Sequence, residues 1–173
     1  YQNFDPNSGN PRKNKGYFFE CNFVVDDSYI DSSDFAYHVS MWEVDGVKFK
    51  GCNFVNSMTS NINNAYGIYT IDAGFQINSS CMSATKPCPV SDIIPSIFSG
   101  FYAGIEAMSS GSIYPVYVDG ATFDENGYGV KLRASDFATI INDSVFVDNN
   151  FSDTINCGIQ FGIGVELLNC NDY

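Results

Sequence analysis

Apolar and polar positions alternate in short runs along the chain. Val47-Lys48-Phe49, Phe75-Gln76-Ile77, Val116-Tyr117-Val118 and Thr139-Ile140-Ile141 are examples, and this period of two predicts strands with one buried face. These runs lead into a recurring cassette: Lys50-Gly51-Cys52-Asn53-Phe54, Asp119-Gly120-Ala121-Thr122-Phe123 and Asn142-Asp143-Ser144-Val145-Phe146, with Phe19-Glu20-Cys21-Asn22-Phe23 as an earlier copy. Asn78-Ser79-Ser80-Cys81-Met82 fits the same frame with Met for Phe. Alternation puts the third and fifth cassette residues on one face, which predicts two inward columns. One is small (Cys21, Cys52, Ser80, Ala121, Ser144) and one is large (Phe23, Phe54, Met82, Phe123, Phe146).

A second cassette follows each polar turn: Tyr66-Gly67-Ile68-Tyr69, Ala103-Gly104-Ile105-Glu106, Tyr128-Gly129-Val130-Lys131 and Cys157-Gly158-Ile159-Gln160. Its glycine is expected to permit a bend into a new strand, with the next apolar residue pointing inward. Two strand types per repeat, regenerating the same columns at irregular intervals, point to parallel stacking of like on like rather than to an antiparallel sandwich. The fold expected is all-β, a parallel β-helix (solenoid) segment of about five to six irregular coils with loop insertions. Residues 1–16 are expected to form a linker or leading loop, and residues 17–173 the stacked segment, with an insertion near 79–99. Val165-Glu166-Leu167-Leu168-Asn169-Cys170-Asn171 reads as the start of another cassette with Cys170 in the small column, so the segment is expected to be truncated at both ends.

The Gly-Cys-Asn-Phe and Tyr-Gly-Val cassettes, with His38-Val39-Ser40-Met41-Trp42, resemble the right-handed β-helix repeats of very large secreted proteins of Bacteroidetes. The resemblance covers residues 17 to 172 and specifies coils, not a reaction. It implies export to the cell surface or medium and, in many members, a separate C-terminal sorting domain read by the type IX secretion machinery.

Charge narrows the partners. Eight basic against twenty acidic residues give a formal net charge of -12, which argues against nucleic acid and other phosphate-rich partners. No run of about 20 apolar residues is present to suggest a membrane span. Six cysteines without paired C-x-x-C blocks, and a single histidine, His38, argue against structural zinc. Cys81 and Cys88 flank a loop that a disulfide could close in an oxidising compartment; two unpaired thiols are the alternative.

Eliminative cleavage of an acidic polysaccharide needs a base and a cation beside a uronate carboxylate. Lys131 and Arg133 are the best basic pair, and alternation turns both outward. Their expected column neighbours, Glu106 and Gln160, favour a surface salt-bridge ladder over catalysis. Asp26-Asp27 reads as turn chemistry and His38 as a structural residue in a strand. Asp124, Glu125 and Asp148 follow the Phe column and are the oxygen donors that could hold Ca2+, although stacked turns also use such residues to satisfy backbone groups. Tyr69, Tyr117 and Tyr128 are candidate platforms for sugar rings. The function expected is a non-catalytic extracellular scaffold, adhesion or glycan-recognition segment, with glycan or cell-surface protein as partner and no required cofactor. The alternative is a carbohydrate-active enzyme, a polysaccharide lyase or glycoside hydrolase.

Overall fold

The computed structural model describes residues 16–28, 36–58, 65–110, 114–141, 145–147, 151–152, 160–161 and 163–170. Its strands, in chain order, are β1 (Tyr17–Phe19), β2 (Asn22–Val25), β3 (Ala36–Lys50), β4 (Asn53–Asn56), β5 (Ala65–Asn78), β6 (Ser80–Cys81), β7 (Ile93–Ile94), β8 (Ser96–Ser99) and β9 (Ala103–Met108). They continue as β10 (Val116–Asp119), β11 (Ala121–Asp124), β12 (Tyr128–Arg133), β13 (Thr139–Ile141), β14 (Val145–Val147), β15 (Phe151–Ser152), β16 (Gln160–Phe161) and β17 (Ile163–Leu168). A single turn of 3-10 helix, Val90–Asp92, is the only helical element among the described residues.

The molecule is all-β and its two large sheets are built from parallel strands. One has the order β1-β3-β5-β9-β12-β17 with β10 and β13 attached, the other β14-β11-β8-β4-β2. The long strands β3 and β5 bend at Glu43 and Asp72, both at φ 51. In the next passes the same corner separates β9 from β10 and β12 from β13, since β9 pairs with the first half of β5 and β10 with the second. Asp72 secures this corner by accepting hydrogen bonds from Ser110 N (2.7 Å) and Ser110 Oγ (2.8 Å). The chain thus visits the same strand positions in the same order on successive passes, and like positions are hydrogen-bonded neighbours.

The core between the sheets is a column of phenylalanines. Ring centroids lie 4.7 Å apart for Phe23 and Phe54, 4.5 Å for Phe54 and Phe98, 5.0 Å for Phe98 and Phe123, and 5.0 Å for Phe123 and Phe146. These separations match the roughly 4.8 Å between adjacent strands, so each ring rides on its own strand. The column corrects one sequence expectation. Met82 does not belong to it and is 69% exposed; Phe98 takes the place, in register with Phe54 and Phe123. The chain leaves the sheet after Asn78, forms the antiparallel pair β6 and β7, and rejoins at Ser96. Ser96, not Ser80, therefore completes the small column with Cys52 and Ala121. Its hydroxyl donates to Asn78 O (2.9 Å) and accepts from Cys52 N (3.2 Å), satisfying backbone groups where the insertion interrupts the ladder. Ser144 lies outside the described residues.

The glycines of the second cassette serve space rather than bending, a second correction. Gly67, Gly104 and Gly129 do not adopt positive φ. A Cβ on Gly104 would lie 2.8 Å from both Gly129 O and Phe123 Cδ1, and one on Gly129 would lie 2.6 Å from Gly164 O and from Phe146 Cδ1. The phenylalanine stack presses against this column, and only glycine leaves room. Left-handed backbone is instead needed one corner earlier, at Gly51 (φ +59) and Gly120 (φ +67), where Glu20 (φ 50) holds the corresponding place. Cys170 does not continue the small column either. It follows the corner after β17, and its thiol donates to Leu132 O as the Ser135 hydroxyl donates to Ala107 O one pass before.

Candidate functional site

The outward-facing side of β3, β5, β9, β12 and β17 gathers Glu106, Lys131, Arg133, Tyr69 and Tyr128 from the candidate residues. Register places Ser40, Tyr69, Glu106, Lys131 and Glu166 in one column, and Trp42, Ile71, Met108, Arg133 and Leu168 in another two residues along. Glu106 is thus beside Lys131, but the other neighbour is Glu166, not Gln160. Gln160 lies in β16, paired antiparallel with Ser152 of β15, while Cys157, Gly158 and Ile159 lie outside the described residues. The cassette that continues the column is Ile163-Gly164-Val165-Glu166.

Lys131 faces away from the phenylalanine column yet is buried, as is Glu106. Its ammonium sits 4.3 Å from the Tyr128 ring centroid and 5.3 Å from that of Tyr102, donates to the Tyr102 hydroxyl at 3.3 Å, and lies 3.5 Å from Glu166 Oε2. Arg133 Nε pairs with Glu106 Oε1 at 3.2 Å. Burial pulls the Lys131 ammonium toward neutrality, but the Tyr102 hydrogen bond and the Glu106 charge outweigh it and raise its pKa. Glu106 is pushed up by burial against the pull of Lys131 and Arg133. Two cations and two carboxylates thus neutralise one another beneath tyrosine rings. A base able to take a proton from a sugar must be able to shed its own, and Lys131 is held in its charged form.

Tyrosines extend this cover along the face. Ring centroids are 5.4 Å apart for Tyr37 and Tyr66, 5.5 Å for Tyr66 and Tyr102, and 5.3 Å for Tyr102 and Tyr128, with Tyr69 4.9 Å from Tyr37. Burial and then the Glu106 charge push the Tyr66 hydroxyl well above its usual pKa. The face therefore grades from an ionic cluster to an aromatic shelf, where Tyr37 and Trp42 are 41% and 61% exposed. Of the three tyrosines singled out from sequence, Tyr69 and Tyr128 share this face, with the Tyr128 ring covered by Lys131. Tyr117 belongs to β10, between Gln76 and Thr139, and its hydroxyl donates to Asp119 Oδ2 at 3.5 Å. Tyr37, Trp42 and Glu166 were missed as site residues. Glu166 carried a signal, since Ile163-Gly164-Val165-Glu166 repeats Ala103-Gly104-Ile105-Glu106.

The other candidates are dispersed. Asp124 is half-buried on β11, Glu125 is exposed at the following turn with φ 53, and Asp148 lies outside the described residues. The neighbouring Asn126 is fully buried, donating through Nδ2 to Phe98 O (2.9 Å) and accepting from Phe101 N (3.0 Å), so it staples one pass to the next. Among the described residues no group of three or more His, Cys, Asp or Glu is arranged to hold a metal ion. Asp26 accepts from the Ser28 hydroxyl and amide, which lower its pKa and close a turn. His38 packs edge-on to Phe101 at 5.0 Å; neither ring nitrogen has a hydrogen-bond partner among the described residues, and burial pushes its pKa down to about 4. A disulfide joins Cys81 and Cys88.

The chain matches no protein-family model, no curated protein and no solved structure. No described helix is long and apolar enough to cross a membrane.

Proposed function

We propose that this chain is a segment of a right-handed parallel β-helix that acts as a non-catalytic extracellular scaffold and recognises glycans on its aromatic face. The repeated order of strand positions and the unbroken phenylalanine column support the solenoid. The observation that carries the functional reading is the ionic cluster: Lys131 and Arg133, the cations an eliminative enzyme would offer to a uronate, already face Glu166 and Glu106 at 3.5 and 3.2 Å. The exposed rings of Tyr37 and Trp42 are the groups left to meet a ligand, and flat aromatic faces suit the C–H faces of sugars. Export belongs to the same proposal, and a disulfide-closed loop fits an oxidising compartment.

A glycan-array screen, with product analysis on acidic polysaccharides in calcium and in chelator, tests this. Binding without turnover that Trp42→Ala removes is the expected result. Unsaturated products that disappear in Lys131→Met would replace the reading with a polysaccharide lyase.

A further inference from the structure

The loop between Cys81 and Cys88 lines an open hollow of about 590 Å3, within the size range of small-ligand sites. Lys50 and Lys86 line it, together with the hydroxyl-bearing Ser79, Ser80, Ser83 and Thr85. Phe19 adds an apolar wall, half-exposed and stacked 6.1 Å from Tyr17. Among the described residues no carboxylate lines this space. Glu20 is not a lining residue, but its carboxylate accepts from the lining Ser80 Oγ at 3.0 Å, and a neighbouring hollow shares Lys50 while bringing Lys48 and Asp119.

The charge pattern is what makes the cavity unusual. Twenty acidic residues against eight basic ones leave few cations to place. Of the five described, Lys131 and Arg133 are in ion pairs, whereas the ammonium groups of Lys48, Lys50 and Lys86 have no ion pair among the described residues. Two of these three, Lys50 and Lys86, line the same hollow. Ammonium groups and hydroxyls are donors, so together they complement an oxygen-rich anion. The disulfide closes the loop that carries Lys86, which reduces the ordering cost of a preformed site.

We infer that this cavity binds the oxyanion substituent, sulfate ester or carboxylate, of a sugar-sized ligand, with Lys50 and Lys86 facing the charge and Phe19 facing the ring. The inference stands on residues away from the Tyr37 and Trp42 shelf and does not depend on it. The net charge of -12 opposes non-specific attraction of anions, so binding here must come from the local arrangement.

Amide NMR titrations with a sulfated disaccharide, a uronate-containing disaccharide and a neutral disaccharide test it. At least one anionic probe should shift the amides of Ser83, Thr85 and Lys86 with a dissociation constant of about 10 mM or tighter, and the neutral probe should not. Lys50→Gln with Lys86→Gln should weaken that binding by at least about tenfold while leaving the melting temperature unchanged. Trp42→Ala should leave it intact, which separates this site from the aromatic face. Silence with both anionic probes, equal binding of the neutral sugar, or full binding by the double variant would each overturn the inference.

Discussion

Phe98→Ala examines the register of the stack at its most informative point. The ring is fully buried, sandwiched 4.5 Å from Phe54 and 5.0 Å from Phe123, and pressed against the strand bearing Gly67, where an added Cβ would come within 2.8 Å of Phe98 Cδ1. Truncating a buried phenylalanine leaves a cavity that such stacked backbones can fill only partly, and costs about 3 to 5 kcal/mol. For a chain of this length, about 2 to 4 °C accompany each kcal/mol, so about 4 kcal/mol corresponds to a fall of about 8 to 16 °C in Tm. Met82→Ala is the matched control. Its side chain is 69% exposed on the insertion, so its loss should stay within about 0.5 kcal/mol. Urea unfolding followed by circular dichroism reads both, with the denaturant slope held as a check that the unfolded state is unchanged. Comparable losses in the two variants, or a loss below about 1 kcal/mol in Phe98→Ala, would refute a column that runs through Phe98.

Three further outcomes follow from the packing and the charges. Gly104→Ala should cost about 1 to 3 kcal/mol, because its Cβ meets backbone at 2.8 Å; Gly164→Ala, whose nearest neighbour is at 3.4 Å, should cost clearly less, and equal losses would contradict the space argument. His38 has a folded pKa lowered from 6.5 to about 4, so the stability it allows is full above pH 6.5 and is lost as pH falls. Between pH 7 and 5.5 that loss is about 1 kcal/mol, and His38→Phe should abolish it; an unchanged pH slope would assign the effect elsewhere. Lys131→Met should destabilise by about 2 kcal/mol at neutral pH, because Glu166 loses its cation and Glu106 keeps only Arg133. The Glu106 pKa is already raised, so the cost of its charge is present at high pH and relieved as pH falls through that value; the gap to wild type should narrow on acidification, and a constant gap would contradict the cluster.

Much of this fold was legible because a stacked strand repeats its surroundings. Cys52 and Ala121, and Phe54 and Phe123, stand two passes apart with Ser96 and Phe98 between them, Gly104 and Gly129 stand one pass apart, and in each pair like surroundings select like residue types. The Met82 assignment failed because the insertion begins with Ser80-Cys81, which imitates the small-column residue just as the chain leaves the sheet. The telling signal was the interval from Phe98 to Gly104, which equals that from Phe123 to Gly129. Gln160 misled for a similar reason: the β15 and β16 excursion delays the final cassette until Glu166. Alternation correctly turned Lys131 away from the phenylalanine column, but it carries no information about cover. That cover comes from Tyr102, a residue just outside β9, and from Tyr128, whose ring lies against the lysine. The glycine role was misassigned because sequence shows a missing side chain without showing whether φ or space demands it.

Parallel pairing of successive passes in this register is measured most directly by scalar couplings across backbone hydrogen bonds, which leave the protein unaltered. Ile97 N donates to Cys52 O at 2.9 Å and Asn53 N to Cys21 O at 2.9 Å, so couplings from the Ile97 amide nitrogen to the Cys52 carbonyl carbon, and from Asn53 to Cys21, are predicted. A coupling from the Cys52 carbonyl to the Cys81 amide would instead put Met82 beside Phe54 and contradict the stack.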